Sequence, residues 1–320
     1  MAKYRVLIAD SRYPGYEEEK SVLREIDAEL VIERSDKEDV LAGLVGNIDG
    51  LIVNLAPVTA KVIKAMKRCK CISRYGVGYD NVDVAALKGT GIYLANVPDY
   101  CAEDVSDQAM ALFMDAVRKT VRKDRHVRNG EWNLTGLQEV YRIAGKTFGF
   151  VGFGMIARTV HRKLSGFNLG RVLVADPFVS AEAARKAGVE LVSLETLLKE
   201  SDYISMHAPV LPSTKGMIGA AQFAMMKKTA ILINTARGPL IDEAALIDAL
   251  KTGKIACAGL DVFVKEPLPM DSELRKLDNL TLTDHAGWYS KESIVELKTK
   301  AARNIVDTLK NGKPKYVVAV

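Results

Sequence analysis

Lys146-Thr-Phe-Gly-Phe-Val-Gly-Phe-Gly-Met-Ile-Ala-Arg158, followed by Arg171-Val-Leu-Val-Ala-Asp-Pro177, is the stretch whose reading decides the fold. The apolar run 148–151 has the length of a buried strand, breaks into Gly152-Phe-Gly154, and yields to a helical pattern from Met155 through Leu164. A second apolar run, 172–175, ends in Asp176, 24 positions after Gly152. Strand, tight turn, helix, strand and carboxylate in this order suit a dinucleotide. Gly152 lets the chain turn sharply, Gly154 lets backbone N–H groups approach a pyrophosphate, and the helix N-terminus supplies positive potential. Ala157 takes the third small position, where only close packing of helix on strand is needed. A glycine motif weighs little alone; the flanking strand, the helix and the late carboxylate make it specific. Asp176 also selects the cofactor. A carboxylate there accepts hydrogen bonds from ribose hydroxyls and repels a 2′-phosphate, and Pro177-Phe-Val179 offers no arginine, so NAD is favoured over NADP.

At 320 residues, with 48% hydrophobic and 27% charged residues, the chain is long for one core and comfortable for two domains. Its N-terminal stretch lacks the pattern of a signal peptide, and no apolar run is long enough to cross a bilayer, so a cytoplasmic protein without membrane association is expected. Cys69, Cys71, Cys101 and Cys257 have no zinc-like spacing and sit in apolar surroundings, which predicts buried thiols and no metal site. The net charge of +5 can attract an anionic substrate without marking nucleic acid as a partner. The basic cluster Arg118, Lys119, Arg122, Lys123, Arg125 and Arg128 is read as the solvated C-terminal end of one long helix, 102–128. Asn129 to Asn133 ends that helix.

Strand candidates at 3–9, 30–32, 50–53 and 69–73 alternate with helical patterns at 17–28, 37–44 and 59–66, which argues a parallel sheet covered by helices. After the fingerprint come strand candidates at 191–192, 203–206, 230–233, 256–260 and 280–282. The fold class is therefore α/β, with two doubly wound parallel-sheet domains: a flavodoxin-like one and a Rossmann one. The turn-rich Ala95-Asn-Val-Pro-Asp99 marks the boundary, and an amphipathic helix over 290–309 can return to the first domain. This gives 1–97 plus 290–320 as one domain and 98–289 as the other.

Ligands of open parallel sheets bind beyond the carboxyl ends of the strands. The segments there are His207-Ala-Pro209, Asn234-Thr-Ala-Arg-Gly238, Asp261-Val-Phe263 leading to Glu266-Pro267, and Thr283-Asp-His285-Ala-Gly-Trp288. Interconverting a hydroxyl and a carbonyl beside a nicotinamide needs an acid/base for the oxygen proton and a cation for the substrate's charge. His285 can exchange the proton, Glu266 can bond its other ring nitrogen and stabilise imidazolium, and Arg237 can hold carboxylate and carbonyl oxygens. Singly, each has a plain alternative: a surface ion pair, a solvated carboxylate, a packed histidine. Their joint place on successive strand ends favours chemistry. His207 is expected to line the cofactor crevice, with Pro209 beside it, and His161 to be structural.

Ser73-Arg-Tyr-Gly-Val-Gly-Tyr-Asp-Asn-Val-Asp83, the fingerprint, Asn234 to Gly238, Gly259-Leu-Asp-Val-Phe263 with Glu266-Pro267, and His285 together resemble the D-isomer-specific 2-hydroxyacid dehydrogenase family over nearly the whole chain. The resemblance implies a substrate domain built from both termini, an active site between the domains, a homodimer, and a 2-oxo or 2-hydroxy acid substrate. It matches Arg237, Glu266 and His285 to the catalytic residues, and the backbone of Val77-Gly78 to the substrate carboxylate loop. Met155, Ile156, Asp176, Thr214, Thr235, Ala236 and Asp261 match cofactor contacts. His285-Ala-Gly-Trp-Tyr-Ser290 is most similar to the branch of the C-terminal-binding-protein corepressors, which would aim Trp288 at the substrate side chain. Packing of the interdomain hinge is the other reading of Trp288. Tyr75 is a second expected wall of that pocket. Asp284 stands where the family commonly has proline. The competing function is an NAD(H)-sensing, corepressor-like binding protein.

Overall fold

The structure is a computed structural model that describes residues 2–10, 13–132 and 139–318; Asn133 of the loop read above lies outside them. Contacts divide the chain into two units, Met1–Cys101 with Ser290–Val320, and Ala102–Tyr289. The domain boundary expected near residue 97 lies a few residues before the Cys101–Ala102 division of these contacts.

In the first unit, strands β1 (Tyr4–Ala9), β2 (Ala28–Glu33), β3 (Gly50–Val53), β4 (Cys71–Arg74) and β5 (Tyr93–Ala95) form a wholly parallel sheet in the order β2-β1-β3-β4-β5. This is the flavodoxin-like order. β3 is buried throughout, as a strand covered on both faces must be. The helix expected to run to residue 28 ends at Leu23, and a 3-10 turn, Arg24–Ile26, feeds β2 through Asp27 in a left-handed conformation. Helix Lys291–Asn311 is capped by Ser290, whose side chain accepts from Ser293 N–H at 2.9 Å. It lies so close to β3 that a Cβ on Gly50 would come within 2.7 Å of Ile305.

Tyr75 does not form a pocket wall. It is 1% exposed, its ring stands edge-on to Tyr13 at 5.4 Å, and its hydroxyl donates to Glu19 Oε1 at 2.6 Å. Glu19 is fully buried, and Lys298, 3% exposed, brings its ammonium to 3.5 Å from Glu19 Oε2 while donating to Gly15 O at 2.8 Å and to Glu18. Burial pushes the Glu19 carboxyl up, against the opposing pull of Tyr75 and Lys298. Lys298→Met strands that carboxylate, a change that costs about 3–5 kcal/mol when one partner of a buried pair is removed. A folded-state pKa above the unfolded value means stability is greatest at low pH. The loss of melting temperature in Lys298→Met should therefore widen as pH rises through the raised value of Glu19, which lies above the free carboxylate value of 4.5. An equal loss at every pH would contradict this account.

In the second unit, β6 (Thr147–Val151), β7 (Arg171–Ala175), β8 (Glu190–Leu191), β9 (Tyr203–Met206), β10 (Ile231–Asn234), β11 (Cys257–Leu260) and β12 (Leu280–Leu282) are parallel in the order β12-β11-β10-β9-β6-β7-β8. Phe113, Phe148 and Tyr203 pack in edge-on and tilted contacts in the core between helix Ala102–Arg118 and the sheet. The long helix expected over 102–128 is two helices. Lys119, at φ 59°, separates Ala102–Arg118 from Thr120–Arg128, and Asp115 holds the break by accepting from Val121 N–H at 2.7 Å and Thr120 Oγ1 at 2.6 Å. Lys119 is also buried, so it leaves the solvated basic face on which the sequence placed it.

All four cysteines are free and buried, and burial pushes the thiols of Cys69 and Cys71 up to about 12. Among the described residues there is no group of three ligands that could hold a metal, and no helix long and apolar enough to cross a membrane.

Candidate active site

Strand order in the second unit reverses between β6 and β9, and there the carboxyl ends of the sheet open a crevice. Gly152 turns the chain at φ 86°, and a Cβ on it would lie 2.7 Å from Ala208 N and 2.8 Å from His207 C. Only glycine fits that approach. Gly154 is the N-cap of helix Met155–Lys163 and supplies no side-chain cap, so the first N–H groups remain open to an anion. Met155 is 51% exposed and Ile156 half-buried. Asp176 accepts from Phe153 N–H at 2.7 Å and from Phe178 N–H at 2.8 Å, one bond per carboxylate oxygen. Each oxygen keeps a lone pair for a further donor.

His207 directly follows β9 and is half-buried. Its Nε2 meets Ser205 Oγ at 2.8 Å, its ring lies 5.7 Å from that of Phe150, and burial pushes the imidazole down to about 3. The backbone of His207 borders Gly152. Thr214, matched to a cofactor contact, spends its hydroxyl on its own loop: it donates to Pro209 O and accepts from Leu211 N–H, both at 2.7 Å. Thr235 is buried with no hydrogen-bond partner for its hydroxyl among the described residues. His161 is structural, with Nε2 2.9 Å from Ala187 O.

The turn after β10 is shaped by Asn234, which is 1% exposed. Its Nδ2 donates to Arg237 O at 2.9 Å and its Oδ1 accepts from Ala236 N–H at 3.0 Å. Arg237 is thereby fixed at the crevice, with Nη1 donating to Ala236 O at 2.8 Å. The next residue, Gly238, packs directly on the backbone of Phe263. Phe263 N–H in turn donates to Glu266 Oε1 at 2.9 Å, and Glu266 Oε2 meets His285 Nδ1 at 2.7 Å. Burial opposes the charge of Glu266, but the bonds from His285 and Phe263 and the nearby Arg237 charge prevail and hold its carboxyl below the usual range. An ionised Glu266 fixes Nδ1 as the donor. His285 Nε2 has no partner among the described residues, and the His285 side chain as a whole is 40% exposed.

His285 holds φ 58°, a left-handed conformation that costs free energy for a residue with a side chain. Asp261 supports it. Matched to a cofactor contact by resemblance, Asp261 is 2% exposed and accepts from Thr283 Oγ1 at 2.6 Å, Ala286 N–H at 3.0 Å and Gly287 N–H at 2.9 Å. Its carboxylate is a clamp for the loop that carries His285. Gln108 extends the clamp by donating to Thr283 Oγ1 at 2.9 Å. The sequence reading missed Asn234, Thr283 and Gln108 as supports; only the bias of Asn and Asp toward strand-end turns could have signalled Asn234. Trp288 is half-buried and meets Tyr289 edge-on at 5.7 Å; Asp284 is exposed.

In the first unit, Gly76 takes φ 131°, Val97 N–H donates to Gly76 O at 2.9 Å, and Asn96 Nδ2 donates to Val77 O at 2.8 Å. Those bonds fix the carbonyls of the loop. The N–H groups of Val77 and Gly78 donate to no described residue.

Residues 110–287 match the family model of the D-isomer specific 2-hydroxyacid dehydrogenase NAD binding domain. A glyoxylate reductase of Korarchaeum cryptofilum is 40% identical over 280 residues, covering 87% of this chain and 81% of that protein. A D-3-phosphoglycerate dehydrogenase of Archaeoglobus fulgidus is 37% identical over 96% of this chain, which spans 57% of that longer protein. The crystal structure of a glyoxylate reductase from Paecilomyes thermophila superposes with a TM-score of 0.89 at 27% identity, covering 99% of this chain and 98% of that one. The chain belongs to the D-isomer-specific 2-hydroxyacid dehydrogenase family. Its cofactor is NAD, and the residues present fit it: a turn that a Cβ would block, an uncapped helix terminus beyond it, and a carboxylate with acceptor capacity in reserve. As in other members of the family, the activity is that of an oxidoreductase.

Proposed function

We propose that this dehydrogenase interconverts a small 2-oxo acid and the D-2-hydroxy acid, with Arg237, Glu266 and His285 as its catalytic residues. The observation that carries this reading is the Glu266–His285 bond at 2.7 Å, which leaves Nε2 as the one exchangeable position of the ring. NAD supplies the hydride acceptor or, when reduced, the hydride that adds to C2. His285 Nε2 gives its proton to the carbonyl oxygen during reduction and takes it back during oxidation. Glu266 stabilises the imidazolium that donates. Arg237 pairs with the carboxylate and polarises the carbonyl through its planar fork. The Val77 and Gly78 N–H groups are assigned to the substrate carboxylate, in keeping with their lack of partners among the described residues. Trp288 contributes to the choice of substrate side chain. A homodimer is part of this reading, consistent with Val127 and Trp132 standing 54% and 87% exposed after the helix break.

NADH oxidation with glyoxylate, hydroxypyruvate, 4-methylthio-2-oxobutyrate and phenylpyruvate tests the proposal. Turnover of at least one, abolished in Arg237→Ala with NADH binding retained, is the expected result. Wild-type rates in Arg237→Ala would sink the assignment, and no turnover on any acid would favour the cofactor-sensing binding protein. Cofactor choice gives a separate prediction. Asp176→Ala should weaken NADH binding by about tenfold and narrow its preference over NADPH, since both the ribose acceptor and the repulsion are removed. Fluorescence titration of both nucleotides measures this, and an unchanged ratio would exclude the role given to Asp176.

A further inference from the structure

The amino ends of β6, β9, β10 and β11 frame a cavity of about 250 Å³ within the second unit, at the opposite end of the sheet from Gly152, Arg237 and Asp261. Strands of four and five residues separate the two ends by roughly 13–16 Å. Val117, Tyr203, Ile231 and Ile255 make its walls apolar. Lys146 lies over the Tyr141 ring at 5.2 Å and 3.8 Å from Asp202, while Lys228 lines the cavity with no ion pair among the described residues. The two carboxylates that line it are already engaged: Asp202 by Lys227 at 3.0 Å and Thr147 N–H at 2.9 Å, Glu139 by the Tyr141 hydroxyl.

Lys119 is the feature that gives the cavity a chemistry. It is 8% exposed, and its ammonium donates to Ala116 O at 3.2 Å and lies 3.9 Å from Cys257 Sγ. No described carboxylate comes within 4.0 Å of it, although lysines so buried are ordinarily paired. Its left-handed backbone breaks an otherwise helical run and turns this one lysine inward, away from the basic face of Arg118, Arg122 and Arg125. Strain of this kind at a buried charge beside an open space marks a binding site better than a packing accident.

We propose that the cavity binds a small organic anion, one phosphate or carboxylate group on a flat apolar body the size of a single ring. The anionic group pairs with Lys119, with Lys228 as a second cation, and the apolar body lies against Tyr141 and Ile231. Calorimetric titration of the full chain with phenyl phosphate tests this, with NADH at saturation so that the pyrophosphate site is already filled. Saturable binding is expected, tighter than that of inorganic phosphate. Lys119→Met should weaken it at least about tenfold and Lys228→Gln less, both with NADH affinity unchanged. Absence of saturable binding up to about 10 mM would overturn the proposal, as would wild-type affinity in Lys119→Met. If Lys119→Met does not fold, Lys228→Gln and Tyr141→Ala decide: wild-type affinity in both overturns it, and weakened binding in either supports it.

Discussion

Asparagine in place of His285 is expected to leave NADH binding near wild type and to lower oxo-acid reduction by about 10²- to 10⁴-fold, the usual contribution of a positioned general acid. The substitution is chosen for the backbone as much as for the ring. His285 sits at φ 58°, and asparagine is among the residues that best tolerate the left-handed region, so the loop clamped by Asp261 should keep its shape. The asparagine amide can also still donate to Glu266. What it lacks is a group that titrates. Reduction consumes the proton that Nε2 donates and oxidation returns it, so the wild-type rates in the two directions should respond oppositely to pH, whereas the residual rates of His285→Asn should lose that contrast. Steady-state kinetics across pH, with NADH fluorescence titration as the control, give both readouts. A variant within a few-fold of the wild-type rate would falsify the role of Nε2 as the proton donor.

Gly238→Ala should be as damaging without removing any functional group. Its Cβ would stand 2.0 Å from Phe263 C, 2.2 Å from Phe263 O and 2.5 Å from Val264 N, all backbone atoms with no rotamer to adjust. The chain must move on one side or the other. Moving the Gly238 side shifts Arg237, which Asn234 holds from behind; moving the other side shifts Phe263, whose N–H bonds Glu266. Overpacking of this kind costs roughly 1–3 kcal/mol and sometimes more. We expect a loss in that range by denaturant unfolding, together with a fall of about 10²-fold in kcat from misplacement of catalytic groups on both sides of the contact. Unchanged kcat at reduced stability would show that the Gly238–Phe263 contact does not set the geometry of the site.

Local pattern made much of this arrangement legible. The fingerprint, its strand and helix, and the succession of polar residues after apolar runs follow from periodicity and from the geometry of parallel sheets, and they led to Arg237, Glu266 and His285. Misreadings fell where a distant partner decides. Tyr75 looked like a pocket wall because it adjoins Gly76 to Gly78, but Glu19, 56 positions away, holds its hydroxyl inside the core. Asp261 was matched to the cofactor, and the sequence did not show that its carboxylate also clamps a loop that follows about two dozen residues later. Helical periodicity continues unbroken through Lys119, and only Asp115 bonding across the break reveals two helices. Strand β5, three residues long, is too short to carry a period at all.

The division of the first unit between the two ends of the chain has a consequence for synthesis. Helix Lys291–Asn311 covers β3 and β4, Asn304 donates to Asn96 O, and Val317 bridges Ala95 of β5, so this sheet stays uncovered there until residues 290–320 have been made. The contiguous Ala102–Tyr289 unit intervenes. At ordinary elongation rates its translation takes roughly 10–40 s, during which Gly50, Ile72 and their neighbours lack the surface they will finally pack against. The nascent N-terminal segment must therefore wait, sticky and partly built, while the unit encoded after it can fold first.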